Sequence, residues 1–167
     1  MDKIEIRRLR LSDAPLMLEW MHDSSVVENL ATDFASKTIE DCERFIESSW
    51  QDENNLNLAI ADDEDIYLGT VSLKHIDKVA GTAEFAITMR ASAMGTGASA
   101  FGMAEILRRG TEELGLDAIY WCVSKQNHRA IKFYNKRYST TEIVPKNILS
   151  NYSKEQLEDF LWYVVKE

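Results

Sequence analysis

The stretch Ala83-Glu84-Phe85-Ala86-Ile87-Thr88-Met89, followed four residues later by Met94-Gly95-Thr96-Gly97-Ala98-Ser99, decides how this chain is read. Its first part places apolar side chains at every second position, which predicts a strand. Its second part sets two glycines before a helix that begins near Ala98. Glycine lacks a Cβ, so the backbone can turn sharply there and approach a ligand closely. The first turn of a helix carries unpaired N–H groups and the positive end of the helix dipole. Strand, glycine turn and helix together make an anion cradle suited to a phosphate or pyrophosphate. No Gly-Lys-Ser/Thr follows, so this is not a P-loop. The strands before it read as antiparallel hairpins, so it is not a dinucleotide fingerprint either.

Upstream, Leu56-Asn57-Leu58-Ala59-Ile60 and Tyr67-Leu68-Gly69-Thr70-Val71-Ser72-Leu73 are further strands. The acidic turn Asp62-Asp63-Glu64-Asp65 and a turn over 78–81 join them into a meander. Ile4-Glu5-Ile6-Arg7-Arg8-Leu9 alternates as a first strand. Ser12 reads as an N-cap with Asp13 in the first turn, opening a helix with Leu16, Met17, Trp20 and Met21 on one face. Thr38 with Asp41 reads as the capping arrangement of a second helix, which carries Ile39, Cys42, Phe45 and Ile46. Downstream, Phe101, Met103, Ile106, Leu107 and Leu114 recur at helical spacing over 99–114, and Gly115 suits the C′ position. Ile119-Tyr120-Trp121-Cys122-Val123 is nearly all apolar, as in a strand buried on both faces. A helix over 127–136 turns Ala130, Ile131, Phe133 and Tyr134 inward, and 160–165 is a closing strand. The order predicts a mixed sheet flanked by helices. No repeat or Pro/Gly-rich linker interrupts it, so 1–167 reads as a single domain.

Composition narrows the function. The formal net charge of −9 argues against nucleic acid, which needs a basic footprint, and disfavours an anionic membrane surface. It is compatible with a cationic or amine-bearing substrate, because a negative field concentrates cations. No stretch approaches the roughly 18–20 apolar residues that span a bilayer. The start, Met1-Asp2-Lys3-Ile4-Glu5-Ile6, alternates charged and aliphatic residues, unlike a signal peptide, and the reading is cytoplasmic. Cys42 and Cys122 read as reduced, mostly buried thiols. His22, His75 and His128 are scattered without metal-ligand spacing, so no metal is expected.

Taken in order, Ala83-Glu84-Phe85-Ala86-Ile87, the 94–99 turn, Glu112-Glu113-Leu114-Gly115-Leu116, Val123 and Asn127-His128-Arg129-Ala130-Ile131-Lys132-Phe133-Tyr134-Asn135-Lys136 resemble the GNAT superfamily of acyl-CoA N-acyltransferases. The resemblance is best over 66–140. It is greatest to the branch of ribosomal-protein N-terminal and bacterial amino-sugar acetyltransferases, and extends to Met17-Leu18-Glu19-Trp20-Met21-His22-Asp23. It implies an α/β (α+β) fold, a mostly antiparallel central sheet with helices on both faces. It also implies acetyl-CoA as cofactor and direct transfer of the acetyl group to a primary amine. That amine belongs to a small molecule such as an amino sugar, or to a protein N-terminus. Family members are often dimers, which allows a homodimer here.

The family's turn reads Gln/Arg-x-x-Gly-x-Gly/Ala. One register uses Met94, Gly97 and Ser99; the other uses Ser92, Gly95 and Gly97. Neither supplies Gln or Arg, so backbone N–H groups must do more at the pyrophosphate. Where the family continues Lys-x-Gly-Phe, this chain has Lys136-Arg137-Tyr138-Ser139. These departures make a non-catalytic acyl-CoA-binding member the alternative.

The resemblance puts Met94, Gly95, Thr96, Gly97, Ala98 and Ser99 at the cofactor, along with Ile87, Thr88, Met89, Asn127, Ala130 and Tyr134. It makes Tyr134 the acid that protonates the departing thiolate; without the resemblance Tyr134 reads as a buried helix aromatic. Asn127 serves as an N-cap, as a contact to the pantetheine arm, or both. Glu84 is a base acting directly or through water, a group that orients the amine, or an outward-facing strand residue. The backbone of Ala86, Ile87, Thr88 and Met89 pairs with the cofactor's amide arm as a sheet edge pairs with a peptide. Trp20, Phe34 and Trp121 line an acceptor pocket or fill the core.

Overall fold

Seven strands form one sheet in the order β1-β2-β3-β4-β5-β7-β6 in the computed structural model, which describes residues 3–30 and 32–167. Met1 and Asp2, where the signal-peptide reading begins, lie outside the described residues. The strands are β1 (Glu5–Arg8), β2 (Leu56–Ala61), β3 (Tyr67–Asp77), β4 (Thr82–Met89), β5 (Ala118–Ser124), β6 (Ser139–Thr140) and β7 (Phe160–Lys166). Every neighbouring pair is antiparallel except β4 with β5. The helices are α1 (Ala14–Met21), α2 (Ser24–Val27), α3 (Ile39–Ser49), α4 (Ala98–Arg108), α5 (His128–Asn135), α6 (Lys146–Leu149) and α7 (Lys154–Asp159).

Period-two burial distributes the core over both faces of the sheet. Ile119, Trp121 and Val123 of β5 point into the cluster that also takes Met103 and Ile106 of α4 and Tyr134 of α5. Ala118 and Tyr120 point the other way, against Ile148 of α6 and Trp162 of β7. The continuous apolar run of β5 follows from this two-sided burial. Further along that second face, Leu9, Met17, Trp20 and Met21 pack with Cys42, Ile46 and Tyr67. Gly102 lets α4 lie close to the sheet, because a Cβ there would come within 2.3 Å of Ile60 Cδ1.

The expected elements occur, with local corrections. Thr38 and Asp41 form a reciprocal capping box on α3. Ser12 is not a cap: α1 starts after Asp13, whose carboxylate takes the Arg10 N–H at 2.8 Å and the Arg7 guanidinium at 2.8 and 2.9 Å. The helix read over 99–114 is α-helical only to Arg108, and a π-helical turn, Arg109–Glu113, follows. Phe101 faces outward, 44 % exposed, because Gly102 and Met103 occupy the sheet side. The 141–159 stretch, unread from sequence, supplies α6 and α7. No helix among the described residues is long and apolar enough to cross a membrane. Cys42 and Cys122 are both free thiols.

Candidate active site

The β4–β5 ladder is short. It runs from Thr82↔Ala118 to Glu84↔Tyr120 and then stops. Both strands continue, β4 to Met89 against β3 and β5 to Ser124 against β7. The sheet therefore parts beyond Glu84 and leaves the β5-facing edge of β4 without a strand partner from Phe85 to Met89. The opening is a cleft of about 770 Å³, in the upper part of the range for ligand sites. Ile87, Thr88 and Met89 line one wall, and Trp121, Cys122, Val123 and Ser124 the other.

The glycine turn borders this opening. Gly95 (φ +78°) and Gly97 (φ +89°) are left-handed, a conformation that excludes most L side chains. A Cβ at either would meet nothing within 4 Å, so the space above the turn is open. Gly97 is the N-cap of α4 and brings no side chain to cap it; the Thr96 hydroxyl accepts only the Ala98 N–H, at 3.4 Å. The N–H groups of Gly97, Ser99 and Ala100 have no acceptor among the described residues. Met94, Gly95, Gly97 and Ser99 reach the cleft wall. Thr96 and Ala98 do not: Thr96 Oγ1 donates to the Ala93 carbonyl, and Ala98 is buried beneath the turn. Met94 packs against the core and brings no polar group.

α5 begins differently. Asn127 Oδ1 caps it by accepting the Ala130 N–H at 3.2 Å, and both residues line the cleft. Two turns on, Tyr134 is 8 % exposed, its ring 5.7 Å from Trp121 and 5.2 Å from Tyr163. Its hydroxyl has no hydrogen-bond partner among the described residues although it borders the cleft. Burial pushes the phenol well above its usual range, so it stays protonated and able to donate. Arg129, Lys132, Lys136 and Arg137 also line the cleft and form no ion pair among the described residues. Unpaired cations gathered here, in a chain of net charge −9, suit a polyanionic ligand.

At the inner end, Glu84 is 1 % exposed and does not face outward. One carboxylate oxygen pairs with His75 Nδ1 at 2.9 Å and accepts Asn151 Nδ2 at 3.3 Å. The other accepts the Tyr152 hydroxyl. Burial, and then the Glu84 charge, pushes the neighbouring Cys122 thiol up to about 12, so it remains protonated. Asn151 and Tyr152 sit between α6 and α7, where neither sequence period nor resemblance pointed. Phe34 and Trp121 line the cleft, but Trp20 belongs to the core, donating to the Tyr67 hydroxyl at 2.9 Å. Trp121 Nε1–H is buried without an acceptor among the described residues.

The family described as the Acetyltransferase (GNAT) domain matches residues 3–137. The chain belongs to the GNAT acetyltransferases. It is thus an N-acetyltransferase that uses acetyl-CoA and moves an acetyl group to an amine. No curated protein matches it by sequence. Among solved structures, the spermidine N-acetyltransferase of Vibrio cholerae in complex with CoA and spermine superimposes with a TM-score of 0.79 at 16 % identity. That match covers 98 % of this chain and 95 % of the other. A structure described as a probable acetyltransferase gives a TM-score of 0.77 at 16 % identity, over 98 % and 92 % of the two chains. A dodecameric form of the Vibrio enzyme gives 0.71 at 17 % identity, over 98 % and 93 %. At these identities the likeness is one of GNAT fold. Acetyl-CoA carries phosphate groups at one end and an amide-bearing arm at the other. The GNAT cleft offers donors for both: uncapped α4 N–H groups with free cations on α5, and the unpaired edge of β4.

Proposed function

We propose that this GNAT enzyme binds acetyl-CoA along the β4–β5 cleft and transfers the acetyl group directly to a primary amine of a small molecule. The observation that carries this reading is the end of the ladder at Glu84↔Tyr120. It opens the sheet at one place, with Glu84 at the inner end and the glycine turn, Asn127 and Tyr134 along the walls. The pyrophosphate rests on the N–H groups of Gly97, Ser99 and Ala100, with Arg129 and Lys132 adding positive charge. The amide arm pairs with β4 from Ala86 to Met89. A β4 N–H in that stretch polarises the thioester carbonyl. Glu84 takes a proton from the acceptor ammonium, the freed amine attacks the carbonyl carbon, and Tyr134 protonates the departing thiolate and recovers a proton from the nitrogen as it becomes the amide.

Among the described residues Glu84 is the one carboxylate on the cleft wall, which suits a single ammonium group at the reacting position. Ser25, Asn29, Thr32 and Phe34 line the same cleft and offer polar contacts and an aromatic face to the rest of the acceptor. The Vibrio relative was crystallised with spermine, so a polyamine belongs in the test beside a nucleotide-linked amino sugar and a peptide with a free N-terminus. Each is incubated with acetyl-CoA, and acetyl addition is read by mass spectrometry alongside thiol release. The expected result is acetylation of one of the small amines. Acetylation of the peptide alone would overturn the small-molecule acceptor. Stabilisation by acetyl-CoA with no amine acetylated, while control enzymes are active, would overturn catalysis at this cleft.

A further inference from the structure

His75 is built into the Glu84 site by an unusual piece of backbone. β3 runs against β4 in register as far as Lys74↔Glu84, then shifts before Asp77↔Thr82. Inside that irregularity His75 has φ +51°, a left-handed conformation uncommon for a residue with a Cβ. A bulge of this kind re-aims a side chain. Two contacts fix it: the His75 N–H donates to Asn55 Oδ1 at 3.0 Å, and the Ile76 N–H donates to the Asn54 carbonyl at 2.8 Å. The result is the 2.9 Å pairing of Nδ1 with Glu84, while the imidazole stays 43 % exposed.

Acetylating an ammonium group removes two protons from its nitrogen. One ends on the coenzyme A sulfur, and the other must leave the site in every turnover. Glu84 is buried, so that proton needs an exit. Asn151 cannot relay it. The Tyr152 phenol donates into Glu84 and holds its own proton. Lys74, opposite Glu84 in the register, is a cation with no site to accept one, and the Cys122 thiol is already protonated. Among the described residues in contact with Glu84, His75 is the one whose side chain reaches solvent with a second nitrogen able to carry a proton.

We infer that His75 is a proton relay that empties Glu84 into solvent after each acetyl transfer. The inference rests on reading the cleft as an amine-acetylating site. In the resting pair, Nδ1–H donates to the Glu84 carboxylate. Once Glu84 has taken the ammonium proton, water exchanges the ring to its Nε2–H tautomer. Nδ1 then accepts the Glu84 proton, Nε2 releases its own to water, and the resting pair returns. His75 acts through Glu84 and is a positioning residue, not a group that touches substrate.

His75→Gly and His75→Asn both tolerate the left-handed backbone, and neither can relay. With the amine that the wild-type enzyme acetylates best, kcat at neutral pH falls about 10–100-fold in each, somewhat less than the loss of a full acid or base. The acetyl-CoA Kd is unchanged. Added imidazole restores turnover to His75→Gly and leaves the wild type unaffected, and more basic imidazoles restore more. Wild-type kcat in His75→Asn would overturn the relay and leave the acetylation reading standing. Lost activity with intact acetyl-CoA binding and no imidazole rescue would also overturn it, making His75 purely structural. A wild-type enzyme inactive on every amine would overturn the acetylation reading, and the relay with it.

Discussion

α4 and α5 start on the same cleft and are finished in opposite ways. α5 is closed by its own sequence, since Asn127 accepts the Ala130 N–H and the Asn127 carbonyl takes the Ile131 N–H. α4 opens after a left-handed glycine that brings no side-chain cap, and the N–H groups of Gly97, Ser99 and Ala100 lack partners among the described residues. At φ +89° glycine sits without strain where a side chain would not, so no Asn, Asp or Ser stands there to cap those groups. Leaving those donors free makes sense if an external anion satisfies them. On the proposed function the two helices divide the work: α4 would hold the cofactor's charge, and α5 would supply the proton donor.

The sharpest break in this division is Tyr134→Phe. In this variant kcat should fall about 10²–10³-fold, in the range of a general acid, with acetyl-CoA affinity held within about twofold. Thiol-release kinetics and calorimetry check the two halves separately. Gly97→Asp attacks the other helix by placing a carboxylate where the pyrophosphate sits. It should raise the acetyl-CoA Kd about 30-fold, equivalent to about 2 kcal/mol, while kcat at saturating cofactor changes little.

Asn127→Ala is the matching change at α5. Loss of the cap costs about 1 kcal/mol of stability, and a thermal melt should show a drop of about 2–4 °C. Cofactor affinity stays near wild type, unlike in Gly97→Asp. The smallest effect is a gain. Met94→Arg returns a cation to the turn and should tighten acetyl-CoA by about three- to tenfold, with a steeper dependence on salt.

The comparison also marks what could be read from the sequence. The turn was legible because two glycines interrupt an alternating strand and a helical period follows. β5 was legible because burial on both faces leaves a continuous apolar run, and α3 because its capping box lies within four residues. α6 and α7 were not, because helices of four and six residues are too short to show a period. Yet the chain between them brings Asn151 and Tyr152 to Glu84 from 67 and 68 residues away. The N-cap of α1 failed for a related reason. Ser12 has the right side chain, but Arg7 on β1 draws Asp13 into the position that matters. Glu84 and Tyr134 were named from the order of motifs, while the partners of Glu84 required the fold. His75 shows the limit most clearly, because nothing in its sequence neighbours announces a bulge held by Asn54 and Asn55.

A structure with coenzyme A bound tests the central claim most directly. Pyrophosphate oxygens are expected about 2.7–3.2 Å from the N–H groups of Gly97, Ser99 or Ala100, and the thiol end between Glu84 and Tyr134. A pyrophosphate seated on the start of α5, or a thiol lying outside the gap between β4 and β5, would contradict it.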